Sequence, residues 1–410
     1  MRRYLISHFR EPVDIASSSL SESTAVFGGG ENLIKGIHNV MAQYWPEFIG
    51  VATTCLSETV GEDVPAFLRQ VRSQLGNSSG APALVHVATP SFRGTHVDGF
   101  HAAVLGMVES LAGGGNGIEG HVNLFPNMVS PADLRHLKEL LRDFGLRGVT
   151  LPDYSDTLDA PAWEDYRPLA DGGTSVEEIR AMHRGRASIE FTSVLRERVT
   201  AARLLESRFS VPATQMPLPI GLAATDDLVK RLCALSGKAV PAQHVQERGR
   251  LLDAYADAHK YVFGLRVVLY GEEDFVTALA GWCAEIGALP VLVASGGKSG
   301  RLESEVHAAV ARHLPEFSKP VVRQGVDFVE LGEDAAAVAP DLFMGNSKGY
   351  SIARPLNRPL VRVGFPIHDR FGGQRVLHVG YRGAQQLLDT LVNTILQRRQ
   401  DDSPVGYSYQ

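Results

Sequence analysis

Cys55 is the side chain in this sequence best placed for metal chemistry. It follows the apolar run Phe48-Ile49-Gly50-Val51-Ala52, which reads as a buried strand, and precedes a helical pattern that starts around Glu62 and Asp63. A thiol at the carboxyl end of a strand and near a helix N-terminus ionises more readily. It suits a thiolate ligand, including one to an iron–sulfur cluster of net negative charge. Spacing alone favours the other reading, an inert, buried cysteine. Cys233, in Leu232-Cys233-Ala234-Leu235, and Cys283, in Trp282-Cys283-Ala284, lie inside amphipathic helical patterns and read as packing.

Asp253 and Asp257 stand four apart on a helical pattern, so both carboxylates project from one face. Like charges at that spacing repel. A hard cation with oxygen ligands converts the repulsion into binding, with Glu11 or another distant carboxylate completing the site; two solvated surface acids fit the spacing as well. The run Phe27-Gly28-Gly29-Gly30-Glu31-Asn32 lacks the lysine of a phosphate loop and reads as a turn opening a helix at Glu31. Gly345-Asn346-Ser347-Lys348-Gly349 fits either an anion cradle or a tight turn. Gly364-Phe365-Pro366-Ile367-His368-Asp369-Arg370 fits either a site or a loop salt bridge. No GxSxG, HExxH or strand-linked GxGxxG motif is present.

These residues need elements to hold them. Strand-like runs at 48–52, 83–87, 121–125, 148–151, 266–270, 290–293, 341–344 and 360–363 alternate with helical patterns at 63–75, 98–112, 131–144, 226–236, 243–262, 273–286, 301–313 and 383–398. That alternation predicts an α/β protein with three doubly wound, Rossmann-like lobes, parallel sheets and connecting helices. Turn-rich Asp171-Gly172-Gly173-Thr174 and the Phe263-Gly264 break place a first lobe over 1–172, with the cluster side, and a helical connection with part of a second lobe over 173–263. C-terminal α/β follows over 264–400, then a polar tail over 401–410. The chain has 410 residues and a net charge of −6 from 40 basic and 46 acidic side chains, which argues against a nucleic-acid partner. Three cysteines are too few for a disulfide framework and too scattered for a zinc motif, which points to a reducing, cytoplasmic setting. No run nears the roughly 18 apolar residues that span a bilayer.

Longer words in the sequence carry a resemblance. His8-Phe9-Arg10-Glu11-Pro12, Ala25-Val26-Phe27-Gly28-Gly29, Thr53-Thr54-Cys55-Leu56-Ser57-Glu58 and Thr89-Pro90-Ser91-Phe92 occur in that order. They are followed by Ala224-Thr225-Asp226, Glu247-Arg248-Gly249-Arg250-Leu251, Gly345-Asn346-Ser347 and Gly364-Phe365-Pro366-Ile367 with Asp369-Arg370. Together they resemble, over nearly the whole chain, the β subunit family of nitrogenase component 1. The resemblance implies that Cys55 ligates an eight-iron P-type cluster shared with an α-type subunit in an α2β2 assembly. It implies that Ser91 binds one of the irons in the oxidised state. It places Phe27, with Val60 close by, on the docking surface for an ATP-dependent iron–sulfur reductase. It also makes Glu11, Asp253 and Asp257, with the carbonyl of Arg10, a mononuclear calcium or iron site between two β subunits.

The family supplies two further cluster cysteines upstream of the His8–Pro12 word, and the sequence starts too late to contain either. The expectation is a longer native chain. Cysteine at position 55 argues against the paralogous scaffold that matures the catalytic cofactor. Asn123-Leu124-Phe125-Pro126-Asn127 and Leu151-Pro152-Asp153-Tyr154-Ser155 look closer to a nitrogenase-like branch that includes methylthio-alkane reductases. The function expected is an oxidoreductase subunit that passes electrons from the reductase to a cofactor in the α-type subunit, for reduction of N2 or a C–S bond. The alternatives are an assembly scaffold and a cluster-free ligand-binding protein.

Overall fold

The structure is a computed structural model of the chain, described over residues 15–19, 28–76, 80–114, 118–162, 164–165, 171–317 and 319–405. Arg10, Glu11 and Phe27 lie outside the described residues. The order of elements begins α1 (Gly30–Tyr44), β1 (Phe48–Ala52), α2 (Cys55–Val60), α3 (Val64–Leu75), β2 (Ala83–Val87), α4 (His96–Leu111), β3 (Val122–Phe125), α5 (Pro131–Asp143) and β4 (Gly148–Thr150). It continues α6 (Val176–Ala181), β5 (Ala187–Phe191), α7 (Ala201–Phe209), β6 (Ala213–Met216), α8 (Leu222–Ser236), α9 (Ala242–Val262), β7 (Arg266–Tyr270), α10 (Glu273–Glu285) and β8 (Leu289–Ser295). Last come α11 (Leu302–Ala311), β9 (Val321–Gln324), α12 (Phe328–Val338), β10 (Leu342–Gly345), α13 (Tyr350–Ala353), β11 (Leu360–Arg362) and α14 (Gly380–Asp402).

Among the described residues three sheets result, a two-stranded β1-β2, a four-stranded β4-β3-β5-β6 and a five-stranded β11-β10-β7-β8-β9. The first pairs in parallel from Phe48↔Ala83 to Ala52↔Val87, and the five-stranded sheet is parallel throughout. Its order is doubly wound, reversing direction between β7 and β10 as the α/β reading expects. The eight helical patterns each match a helix to within a few residues, while α7 and α12 carried no such pattern. The patterns alone missed β5, β6 and β9, which are short and polar at several positions.

Contacts divide the chain into two compact units, one of residues 1–125, 149–188 and 199–213, the other of 126–148, 189–198 and 214–410. This differs from consecutive lobes at 1–172, 173–263 and 264–400. Gly172 and Gly173 do make a turn, with φ of 99° and 87°, but a local break does not decide which distant segments pack together.

In the first unit, α1, α3 and β2 bury Ile37, Val64, Leu68, Val71 and Leu84 against one another. The positions in α3, i, i+4 and i+7, make one helical stripe. Each such side chain contributes about 1.5–3 kcal/mol when fully buried. The Asp63 side chain accepts from Ala66 N at 2.9 Å and caps α3, and Gly76 at φ 58° ends it. Gly30 opens α1 where any Cβ would run into the Phe67 ring, one residue before the helix start expected at Glu31.

Candidate functional site

β1 and β2 end side by side, and the segments after them carry Cys55, which opens α2, and Ser91. Cys55 Sγ lies 2.7 Å from Ser91 Oγ and accepts from Ser91 N–H at 3.2 Å. The Ser91 hydroxyl first, and then its backbone N–H, stabilise a thiolate and draw the Cys55 thiol below its ordinary range. Cys55 does not merely precede the helix near Glu62. It is the first residue of the six-residue α2, and α3 starts separately at Val64. Thr54 and Ser57 form a reciprocal cap at its start, and Thr59 Oγ1 donates to Cys55 O at 2.7 Å. The lowered thiol thus comes from Ser91, 36 residues away in sequence, rather than from a long helix.

The surroundings of this pair are partly apolar. The residue after each ligand candidate, Leu56 and Phe92, is 48% and 62% exposed, and Val60 at the end of α2 is 40% exposed. Behind them the buried Thr53 donates from Oγ1 to Glu58 Oε1 at 2.5 Å and accepts from Thr89 N–H at 3.1 Å. Sequence reasoning missed these supports. Their only trace was the threonine preceding the Thr54-Cys55 step.

Asp253 and Asp257 are both exposed on α9. Among the described residues no group of three or more His, Cys, Asp or Glu side chains could hold a metal ion, so these two need donors from beyond them. The same helix buries His244, Leu251, Ala258 and Val262. One residue further along each step, Val245, Leu252 and Phe263 are 56%, 51% and 66% exposed, with His259 stacked on Phe263 at 4.8 Å. A second apolar stripe therefore runs beside the buried one. Cys283 is buried, and burial raises its thiol well above the ordinary range; it belongs to packing, as its helical context predicted.

The two glycine loops of the C-terminal sheet are structural. Asn346 Oδ1 accepts from Lys348 N–H at 3.0 Å, and Ser347 Oγ donates to Asp369 Oδ1 at 2.6 Å. Arg362 grips Asp369 through Nε and Nη2 at 2.6–2.9 Å and, as the leading cause, holds its carboxyl down to about 2. The point where the sheet order reverses is filled by Tyr270, whose hydroxyl donates to Asn346 O at 2.6 Å. A Cβ on Gly345 or Gly349 would collide with that ring.

Comparison with known proteins extends these local observations. A family profile described as "Nitrogenase component 1 type Oxidoreductase" matches residues 1–396. The nitrogenase molybdenum-iron protein beta chain of Clostridium pasteurianum is 36% identical over 97% of this chain and 86% of its own length. The nitrogenase vanadium-iron protein beta chain of Trichormus variabilis is 35% identical over 96% of this chain and 86% of its own. A solved structure described as "Nitrogenase Cp1 at pH 6.5" superposes with a TM-score of 0.93 at 33% identity, covering 100% of this chain and 88% of that one.

Proposed function

This chain belongs to the nitrogenase component 1 type oxidoreductases, and we propose that it is the β-type subunit of an α2β2 assembly relaying electrons from an ATP-dependent iron–sulfur reductase towards a cofactor in the α-type subunit. The convergence of Cys55 Sγ and Ser91 Oγ at 2.7 Å carries this reading. A sulfur eased towards thiolate and a hydroxyl oxygen beside it suit an iron–sulfur group. They form part of a ligand set, the remainder coming from outside the described residues. When bound, such a cluster supplies one-electron redox chemistry. This chain's residues hold its edge: Cys55 offers the sulfur, Ser91 offers an oxygen on oxidation, and Leu56 and Phe92 supply apolar surface for the α-type subunit to cover.

Val60, with Phe27, faces the reductase. The exposed stripe of α9 supports a contact between two β subunits, and Asp253 and Asp257 with Glu11 and the Arg10 carbonyl hold a calcium or iron ion there. Among the described residues no helix is long and apolar enough to cross a membrane. The substrate is small and inert, N2 or a C–S bond, and is bound by the α-type subunit.

Iron analysis and electron paramagnetic resonance of the complex co-purified with its α-type partner test the reading. Cys55→Ala is expected to lower bound iron by the content of one cluster per α–β pair while the tetramer persists. Iron content unchanged by Cys55→Ala, or an iron-free parent complex, would overturn it.

A further inference from the structure

The segments that carry Cys55 and Ser91 leave β1 and β2, which among the described residues pair with each other in a two-stranded sheet. What fixes one against the other lies one and two residues past the ladder. Thr53 N–H donates to Val87 O at 3.2 Å, Thr89 Oγ1 donates to Thr53 O at 2.8 Å, and Thr89 N–H donates to Thr53 Oγ1 at 3.1 Å. The Thr53 hydroxyl also donates to Glu58 Oε1 at 2.5 Å, on the helix whose first residue is Cys55. One oxygen therefore ties the Ser91 loop to the Cys55 helix. It sits in a residue only 7% exposed, whereas Ser91 is exposed and Cys55 half-buried.

A threonine hydroxyl has one proton and two lone pairs. Here the proton goes to Glu58 and a lone pair takes the Thr89 amide. Valine has the same branched shape and strand preference but can do neither. It leaves the Thr89 N–H and the Glu58 carboxylate without this partner; the backbone bonds of Thr53 to Val87 and Thr89 remain, but the tie from the Ser91 loop through one oxygen to α2, which sets the spacing between Sγ and Oγ, is gone.

We propose that Thr53 is a positioning residue, its hydroxyl locking the loop after β2 to α2 so that Cys55 and Ser91 present sulfur and oxygen to one metal group. The proposal rests on the reading of those two as ligands, but its test measures placement without the cluster. In the full-length cluster-free chain carrying Ser91→Cys, oxidised glutathione is used to drive a disulfide to Cys55, and its rate is read by peptide mapping, which separates it from links to Cys233 or Cys283. Disulfides form only within a narrow geometry, so the rate reports loop placement.

Adding Thr53→Val is expected to slow the link at least about tenfold, the equivalent of the roughly 1.4 kcal/mol attached to one well-placed hydrogen bond. Thr53→Ser, which keeps the hydroxyl, is expected to restore the rate to within about threefold. A valine chain that links within about threefold of its parent overturns the proposal, as does a serine chain slowed as much as the valine one. Should the valine chain fail to fold, Glu58→Ala removes one arm of the joint. A slowing of about threefold or more supports the proposal, and an unchanged rate overturns it. Failure of the ligand reading would show separately, as iron content indifferent to Cys55.

Discussion

Replacing Asp133 with asparagine should destabilise the second unit severely, and the geometry gives the size. Asp133 is fully buried at the start of α5 and accepts four hydrogen bonds. Oδ1 takes His378 N–H at 2.6 Å and Val379 N–H at 3.1 Å, while Oδ2 takes Ser130 N–H at 3.1 Å and His378 Nδ1–H at 2.8 Å. Gly364 N–H donates to His378 Nε2 at 3.1 Å, so Nε2 accepts and the ring proton sits on Nδ1, facing the carboxylate. Asparagine can keep the two amides at one oxygen, but its NH2 then faces two further donors. Moving the imidazole proton to Nε2 only transfers the conflict to Gly364. Two opposed buried donors at about 1–3 kcal/mol each, and the loss of a buried charge-assisted network, put the cost at about 3–5 kcal/mol.

Hydrogen exchange read by mass spectrometry on the assembled complex should show the 376–380 amides losing protection by at least about a hundredfold, since 1.4 kcal/mol is a factor of ten. Burial acts to raise the Asp133 carboxyl, but His378 and the backbone amides outweigh it and hold it below its ordinary 3.8. Its stabilisation is therefore complete above that ordinary value and lost as pH falls through the lower folded one, so the deficit of the variant should shrink in acid. Protection of 376–380 within threefold of the parent at neutral pH would refute the reasoning.

Gly349→Ala should cost about 1–3 kcal/mol by overpacking against Tyr270, and Tyr270→Phe should recover part of that loss by removing the hydroxyl it meets; thermal unfolding of both variants and the pair checks this. Asp369→Asn should flatten acid unfolding between the ordinary carboxylate value of 3.8 and about 2, because the Arg362-held carboxyl contributes above that window and loses its contribution as pH falls through it. An unchanged acid limb would count against it. If Asp253 and Asp257 hold the proposed cation, Asp253→Asn with Asp257→Asn should lower the metal content of the assembled protein, measured by elemental analysis, while shifting the stability of the chain by less than about 0.5 kcal/mol, as expected for exposed side chains.

Much was legible in the sequence because it is local. Period-3.6 stripes such as Val64, Leu68 and Val71 specify helix faces, apolar runs such as Arg266–Tyr270 specify buried parallel strands, and cysteine's thiol identifies a candidate ligand wherever it falls. Asp63 before α3 and Ser130 before α5 announce their caps in the same way. Tertiary structure alone decided the rest. Ser91 reaches Cys55 across 36 positions and Asp133 reaches His378 across 245, because parallel strands and crossover helices bring together residues between which no short-range pattern runs. It also decided the anion loop, a turn whose groups are bonded within the protein. Local breaks mark where a chain can turn, but burial between distant segments determines which of them form a unit. The sequence thus named the thiol and, through its resemblance, the Ser91 hydroxyl, while the meeting of the segments beyond β1 and β2 set the distance between them and brought in the buried Thr53 that joins them.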